Sequence, residues 1–303
     1  MKLAFTKMQG AGNDFVAVEA GSIVKNWPQL AIAMCDRHFG VGADGLLLVS
    51  PSSVADVGMR IFNADGSEAN ICGNGVRCVV TYHVEKNRLR AAEGTVTVET
   101  RSGVRDAWFS QTAGKVVRVR VGMGVPRFGL TGDPDLSGRH QVDITLMNRC
   151  GALTKGTRLE FDLVSLGNSH AVVFTEMPVS DFPLPELAVQ MDRCLHVSGG
   201  VNFEVARIVN RGRIEARVLE NGVGETLACG SGACAIGVAA HERGYTDNEV
   251  QVSLPGGALA VECSMPEVFL TGPAKTVFHG DWLGVEDGAV RTAPSPIKNE
   301  VVA

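Results

Sequence analysis

Two short segments of the chain place a cysteine in the same setting. Cys72 is followed by Gly73-Asn74-Gly75, and Cys229 is followed by Gly230-Ser231-Gly232. In both segments a Glu stands four residues before the Cys, and a run with few Gly and no Pro comes next. We predict that each Cys lies at a helix N-terminus, where unpaired N–H groups and the helix dipole favour negative charge. Such a position is expected to lower the pKa of a thiol from about 8.5.

Paired thiols of this kind suit the inversion of a carbon centre. That reaction needs a base on one face of the carbon and an acid on the other, and one thiolate with one thiol supplies both. The N–H groups of Gly73, Asn74, Gly230 and Ser231 would hold a carboxylate beside the reacting carbon and stabilise the charge that develops there. We expect the step to need no cofactor and no metal.

The duplication extends upstream of the cysteines. Arg60-Ile-Phe-Asn63 and Arg217-Val-Leu-Glu220 stand at the same distance from their cysteines, and Gly12-Asn13 pairs with Gly167-Asn168 further back. Matching segments in both halves of a chain are the mark of an internal repeat. If the halves fold alike about a pseudo-two-fold axis, the two predicted helix starts face each other across one cleft.

Other functions are less compatible with these patterns. A thiol–disulfide oxidoreductase would normally keep both cysteines in one Cys-x-x-Cys segment, and a zinc site would need other spacings and a His pair. The segment 40–45 matches the dinucleotide pattern, but a predicted helix precedes it and a predicted strand follows, which is the reverse of what that pattern requires. A module that only binds amino acids could use the carboxylate site but has no need of the thiols.

Composition narrows the class of protein further. The chain has 303 residues, 45% apolar and 20% charged, so it can bury a substantial core. A formal charge of −5 without a basic tract argues against nucleic acid or an anionic membrane surface as a partner. We find no signal peptide and no apolar run of membrane-spanning length, and eight cysteines are too few for a disulfide scaffold. The expected location is the cytoplasm, and the expected partner is a small amino-acid substrate.

Apolar alternation and turn residues predict many short strands around two central helices. The predicted fold is α+β, with two pseudo-symmetric halves that each wrap a curved, mostly antiparallel sheet around the helix that carries its cysteine. We assign residues 1–124 and 276–291 to the half with Cys72, and residues 125–275 to the half with Cys229. Residues 292–303 are expected to form a mobile tail.

Seven motifs from about Met8 to Gly280 resemble those of the diaminopimelate epimerases. They are Gly10-Ala-Gly-Asn13-Asp-Phe, Asp36-Arg-His-Phe-Gly-Val-Gly-Ala-Asp-Gly45, Phe62-Asn63-Ala-Asp-Gly-Ser-Glu68, Cys72-Gly-Asn-Gly75, Gly167-Asn-Ser-His170, Gly224-Glu-Thr-Leu-Ala-Cys-Gly-Ser-Gly-Ala-Cys234 and Leu270-Thr-Gly-Pro273. This family inverts an α-carbon between the LL and meso forms of diaminopimelate without pyridoxal phosphate, and its members form homodimers.

The resemblance implies roles for particular residues. Cys72 and Cys229 would be the two bases, and His170 and Glu220 would help to move protons to and from them. The substrate pocket would be lined by four further side chains, namely Asn13, Asn63, Asn168 and Asn202.

One position departs from the family pattern. The chain has Glu220-Asn221-Gly222 where the family normally reads Glu-Arg-Gly, and in the family that Arg binds the distal carboxylate of the substrate. Asn221 cannot make the same charged, bidentate contact. Either another cation replaces the Arg, or the chain is a racemase of a different amino acid, such as histidine or another basic or diamino acid. Ser169, where the family commonly has Pro, affects only local loop geometry.

Overall fold

The computed structural model describes residues 2–20, 26–129, 139–147, 153–195, 200–286 and 289–290. The predicted tail at 292–303 lies outside these residues. None of the helices in the described part of the chain is both long and apolar enough to cross a membrane.

The described chain is dominated by strands. Its first part contains β1 (Leu3–Gly10), β2 (Asn13–Glu19), α1 (Trp27–Cys35), β3 (Gly45–Ser50), β4 (Val57–Asn63), β5 (Glu68–Ala69), α2 (Gly73–Lys86), β6 (Glu93–Thr100), β7 (Gly103–Thr112) and β8 (Lys115–Gly124). Its second part contains β9 (Arg127–Phe128), β10 (Arg139–Met147), β11 (Leu153–Ser165), β12 (Ser169–Phe174), a 3₁₀ turn (Val179–Asp181), α3 (Leu184–Leu195), β13 (Asn202–Asn210), β14 (Arg213–Glu220), β15 (Gly224–Thr226), α4 (Gly230–Glu242), β16 (Glu249–Leu254), β17 (Gly257–Ser264) and β18 (Glu267–Gly272). The chain continues with β19 (Lys275–Trp282), β20 (Val285–Glu286) and β21 (Ala289–Val290).

The strand pairings repeat between the two parts. In the first, β1 and β2 are antiparallel, β2 and β3 parallel, β3 and β4 antiparallel, and β4 pairs with β5 antiparallel and with β6 in parallel. In the second, β11 to β16 follow the same sequence of antiparallel and parallel pairs. Antiparallel β6–β7–β8 and β16–β17–β18 complete the two parts. The fold is therefore α+β, with two similar, mostly antiparallel halves, as predicted.

Side-chain pairs repeat in the same way. Arg60 on β4 makes two hydrogen bonds with Glu68 on β5, at 2.7 and 3.0 Å. Arg217 on β14 makes the equivalent pair with Glu225 on β15, at 2.6 and 2.8 Å. The Glu that precedes each cysteine by four residues is thus part of a bidentate ion pair that fixes the approach to the cysteine.

The halves are joined by two strand pairings near the end of the chain. β18 pairs with β17 and also with β8, so the sheet continues from one half into the other. β19 then pairs along β1 and so adds a strand to the first sheet. Each sheet packs around one buried helix, α2 or α4, and the thiols of Cys78 and Cys234 lie within this core.

Candidate active site

The two cysteines of the repeat occupy the same position on their helices. Cys72 is the N-cap residue of α2, and its Sγ accepts a hydrogen bond from the N–H of Gly75 at 3.3 Å. Cys229 is the N-cap residue of α4, and its Sγ accepts from the N–H of Gly232 at 3.4 Å. Each sulfur therefore acts as the capping group that Ser or Asp would normally supply.

The two helix starts face the same space. A cavity of about 490 Å³ lies between them. Its walls include twelve of the thirteen side chains and backbone segments that the sequence singled out: Asn13, Asn63, Cys72, Gly73, Asn74, Asn168, Asn202, Glu220, Asn221, Cys229, Gly230 and Ser231. The exception is His170, which does not line the cavity.

Glycine is required where the helix starts approach each other. A Cβ at Gly73 would lie 3.0 Å from the side chain of Met123 and 3.1 Å from that of Leu270. A Cβ at Gly230 would lie 2.9 Å from the same Leu270 side chain. Asn74 bridges the two starts, because its Nδ2 donates to the carbonyl of Ala228 at 3.2 Å.

Hydrogen bonds near Cys72 hold the side-chain amide of Asn13 in one orientation. Asp44 accepts a hydrogen bond from Nδ2 of Asn13 at 2.7 Å, which turns Oδ1 of Asn13 toward the thiol of Cys72, 3.9 Å away. The same Oδ1 accepts from Nδ2 of Asn74 at 3.1 Å. Arg37 in turn contacts Asp44 at 2.7 Å. This network directs the oxygen of the Asn13 amide, and not its NH2 group, toward Cys72.

A chain of hydrogen bonds leads from Cys229 into the core. The thiol lies 3.4 Å from Oγ of Ser231, which accepts from Nδ2 of Asn168 at 3.3 Å. Oδ1 of Asn168 lies 3.1 Å from Nε2 of His170, and Nδ1 of His170 lies 2.6 Å from Glu204. His170 and Glu204 are fully buried. His170 thus connects to one thiol only, and through two intervening side chains.

Glu220 acts electrostatically on both thiols. Its Oε1 accepts a hydrogen bond from Thr226 at 2.6 Å, and its negative charge raises the pKa of both Cys72 and Cys229. Glu220 and both cysteines line the same cavity. The role in proton transfer that the resemblance implies for Glu220 stays a prediction.

The thiols are less acidic than the sequence predicts. Burial raises the pKa of Cys72 to about 11, although the N–H of Gly75 lowers it. Burial and then Glu220 raise the pKa of Cys229 well above its usual range, although Ser231 lowers it. Helix N-termini act as predicted, but the loss of solvent around the sulfurs outweighs them.

The remaining amides that line the cavity bond to groups near them. Oδ1 of Asn202 accepts from the N–H of Asn221 at 2.9 Å, and Nδ2 of Asn202 donates to the carbonyl of Ser169 at 3.2 Å. Asn63 donates to Oγ of Ser67 at 2.9 Å. No Lys or Arg belongs to the described lining of the cavity, so no described cation replaces the missing Arg at position 221.

Sequence analysis missed Asp44, Glu204 and Thr226. Asp44 lies in the motif that runs from Asp36 to Gly45, but its position in that motif does not show that it orients Asn13. Glu204 has a signal that could have been used: a Glu flanked by apolar residues inside a predicted strand is costly to bury without a partner. Within the described residues, no group of three or more His, Cys, Asp or Glu side chains is placed to hold a metal ion.

Comparisons with known proteins place the chain among its relatives. The family described as diaminopimelate epimerase matches residues 5–129 and 163–277. Proteins named diaminopimelate epimerase from Methanococcus maripaludis and Desulfovibrio desulfuricans are 39% and 40% identical to the chain. Each alignment covers 92% of this chain, with 99% of the first relative and 98% of the second.

Solved structures share the fold at much lower identity. A hydroxyproline epimerase from Agrobacterium vitis with bound trans-4-hydroxy-L-proline has a TM-score of 0.69 at 17% identity and covers 93% of this chain and 91% of its own. A probable proline racemase from Agrobacterium radiobacter has a TM-score of 0.67 at 18% identity, with 92% of each chain covered. These two likenesses concern the fold, whereas the matches over most of the sequence settle the family. The chain belongs to the diaminopimelate epimerase family.

Proposed function

We propose that this chain is a cofactor-independent isomerase that inverts the α-carbon of diaminopimelate, interconverting its LL and meso forms. One observation carries the proposal: Cys72 and Cys229 cap two equivalent helices whose N-termini meet in one cavity. Relatives that align over 92% of the chain bear the name of this activity. They do not favour the alternative of a racemase for histidine or another basic or diamino acid.

The reaction balances with the two thiols alone. The thiolate on one face removes the α-proton, and the thiol on the other face delivers its proton to the same carbon. The configuration inverts, and the two sulfurs have exchanged protonation states. The first N–H groups of α2 and α4 have no partner within their helices, and those not directed at a cysteine sulfur can bind the carboxylate and the charge that develops on it.

A substrate ammonium group would help to form the thiolate. Both thiols have a raised pKa, and a positive charge brought into a buried site favours the charged form of a nearby thiol. Glu220, which lines the cavity, can accept the proton that is released. We further propose the cytoplasm as the location, because a reducing compartment keeps both thiols free.

Proton exchange in heavy water tests the proposal directly. LL-diaminopimelate, histidine, lysine, ornithine and diaminobutyrate are incubated separately with the protein, without added pyridoxal phosphate. We expect deuterium at the α-carbon and a changed configuration with diaminopimelate, detected by mass spectrometry and chiral chromatography. Exchange with histidine but not with diaminopimelate would support the alternative, and no exchange with any amino acid would refute an epimerase.

Asn221 offers a test of how the distal carboxylate is bound. Its side chain lies so close to Gly200 that a Cβ there would be 2.1 Å from Nδ2 of Asn221. With Asn221 the distal carboxylate meets neutral amides, so Asn221→Arg should lower the KM for diaminopimelate. A gain of about tenfold in kcat/KM corresponds to roughly 1.4 kcal/mol, within the range of one charge-assisted contact.

Asn221→Lys is the matched control, because it adds the charge without the planar fork. We expect it to give a smaller gain than Asn221→Arg. Folded Arg and Lys variants with the KM of the unaltered protein would show that the distal carboxylate does not reach position 221.

A further inference from the structure

Arg77 is a buried cation directly behind the candidate active site. It lies on α2, five residues after Cys72, and its side chain is fully buried. Its Nη2 donates to Oδ1 of Asn74 at 2.8 Å and its Nε donates to the carbonyl of Pro273 at 3.3 Å, whereas Nη1 has no partner among the described residues. Burying a guanidinium is expensive unless a charge of opposite sign is near.

No carboxylate of the described residues forms an ion pair with Arg77. The ionisable groups that surround it are the thiols of Cys78, Cys72 and Cys234. Burial lowers the pKa of Arg77, but a guanidinium starts so high that it remains charged at any physiological pH. Among the groups that the structure describes, a negative charge close to Arg77 can therefore form as a thiolate, or be brought by an anion that binds at the helix start.

The chain keeps space for this guanidinium with two glycines. A Cβ at Gly10 would lie 3.2 Å from Nη2 of Arg77, and a Cβ at Gly272 would lie 3.2 Å from its Nε and Cζ. Gly10 opens the segment Gly10-Ala-Gly-Asn13, and Gly272 lies in the segment Leu270-Thr-Gly-Pro273. The slot therefore holds a planar group in one orientation.

The contact with Asn74 transmits that orientation to the cavity. An amide has one acceptor and one donor end, and Arg77 occupies the acceptor end of Asn74. The Nδ2 end must then point toward Asn13 and the carbonyl of Ala228, as observed at 3.1 and 3.2 Å. Asn74 is also a residue of the predicted carboxylate site, and it links the two helix starts.

We propose that Arg77 is a positioning residue: it fixes the Asn74 amide at the carboxylate site and supplies the positive charge that balances an anion formed or bound beside Cys72. The kinetic part of this inference rests on the proposed epimerase function. Of the two cavity thiols, Cys72 is the one whose pKa Arg77 lowers, as it also does for the core thiols of Cys78 and Cys234, whereas Glu220 raises the pKa of Cys72. For Cys229 the charged groups that act most strongly are Glu220 and Glu204, both negative.

Two substitutions separate charge from geometry. Arg77→Met removes both, and Arg77→Lys keeps the charge but loses the planar contact with Asn74. Alkylation by iodoacetamide, followed by peptide mapping across pH, reports the ionisation of each thiol and needs no substrate. We expect Arg77→Met to slow labelling of Cys72 by about tenfold at a given pH, as a rise of one pKa unit would, and to leave Cys229 unchanged.

In the Arg77→Lys variant, iodoacetamide should label Cys72 at nearly the normal rate, because the positive charge is kept. The KM of this variant for diaminopimelate should rise several-fold, because the contact with Asn74 is lost. Arg243→Met is the control for loss of a buried Arg, since Arg243 lies at the end of α4 and pairs with Asp162 at 2.5 Å. It should lower the melting temperature without changing the pH dependence at Cys72. A purely structural role for Arg77 would give the same pattern as this control.

If Arg77→Met does not fold, Gly10→Ala tests the positioning of the Asn74 amide by Arg77 in its place. The added methyl group displaces the guanidinium by a few tenths of an ångström without removing its charge, so the KM should rise while the labelling profile of Cys72 stays normal. The inference is wrong if folded Arg77→Met and Gly10→Ala match the unaltered protein in KM and in Cys72 labelling. Inactivity of the unaltered protein toward diaminopimelate would refute the proposed function but leave the labelling result interpretable.

Discussion

The N-terminus of α2 and the N-terminus of α4 present a cysteine in the same backbone setting, but the side chains behind them differ in charge. Gly75 and Gly232 take equivalent places, each donating to its own cysteine sulfur. A Cβ at Gly75 would meet Leu47 at 3.1 Å, whereas a Cβ at Gly232 would meet Glu204 at 2.9 Å. A buried apolar side chain in one half thus corresponds to a buried carboxylate in the other.

Strand register confirms this correspondence. Phe15 on β2 stands opposite Gly45 on β3, and His170 on β12 stands opposite Asn202 on β13. Two positions further along β3 and β13 come Leu47 and Glu204. The apolar pair Phe15 and Leu47 therefore corresponds to the hydrogen-bonded pair His170 and Glu204.

The buried cation, Arg77, lies in the half that carries Cys72. Arg77 lies five residues after Cys72, and the residue five after Cys229 is Cys234. Within the described residues, the first half therefore has a buried positive charge without a carboxylate partner, and the second has a buried carboxylate whose hydrogen-bond partner is His170. The two thiols thus share one backbone geometry but differ in the charged groups behind them: Arg77 lowers the pKa of Cys72, and Glu204 raises that of Cys229.

Removing either thiol should have the largest effect. Cys72→Ala and Cys229→Ala should each reduce inversion of diaminopimelate by about 10³-fold or more, because each deletes the acid or the base. The remaining thiol can still remove a proton from the face that it contacts and return a deuteron to that face. We therefore expect the two variants to exchange the α-proton of opposite configurations, measured by mass spectrometry after chiral separation.

Circular dichroism of both variants is the control for folding. Exchange of the same configuration by both variants would contradict the arrangement in which the sulfurs flank one carbon. Inversion at more than a tenth of the normal rate in either variant would remove that cysteine from the mechanism.

Much of this arrangement was predictable because it depends on backbone geometry. A cysteine followed by Gly-x-Gly and a helical run specifies a capped helix start, and the repetition of that pattern specifies two of them. The spacing of Arg60 and Glu68, matched by Arg217 and Glu225, follows from the same duplication. Local patterns of this kind predict structure well, because each depends on residues that are close in sequence.

The electrostatic differences were not predictable from the repeat. Glu204 is 25 residues before Cys229 in sequence, and only the pairing of β12 with β13 brings it beside His170. The predicted fall in thiol pKa was wrong because it considered the helix dipole and not the burial of the sulfurs. Burial depends on how both halves close around the cavity, which no single segment encodes.

A substitution at Glu204 should change the reactivity of Cys229 by an intermediate amount and leave that of Cys72 unchanged. Glu204→Gln removes a buried negative charge that raises the pKa of Cys229, so that pKa should fall. Labelling of Cys229 by iodoacetamide at pH 8 should become roughly 3- to 10-fold faster, the range given by a shift of half to one pKa unit. Cys72 should keep its rate, because Glu204 is not among the main influences on it.

Glu215→Gln is the matched control, since Glu215 lies on the neighbouring strand and pairs with Arg207 at 2.5 Å. It removes a carboxylate of the same half without altering the residues behind Cys229. If Glu204→Gln left Cys229 labelling unchanged, or accelerated both thiols equally, the assigned difference between the helix starts would not hold.

The smallest expected effect is at Ser231, and its direction is opposite to that of Glu204→Gln. The hydroxyl group of Ser231 lies 3.4 Å from the thiol of Cys229 and lowers the pKa of that thiol. Ser231→Ala should therefore slow labelling of Cys229 about twofold to threefold, as expected for one weak hydrogen bond. It also breaks the connection from Asn168 to the sulfur, so kcat should fall while Cys72 labelling stays constant. Ser231→Thr retains the hydroxyl group, and recovery of the normal rate in that variant would show that the bond, and not the volume of the side chain, sets the reactivity of Cys229.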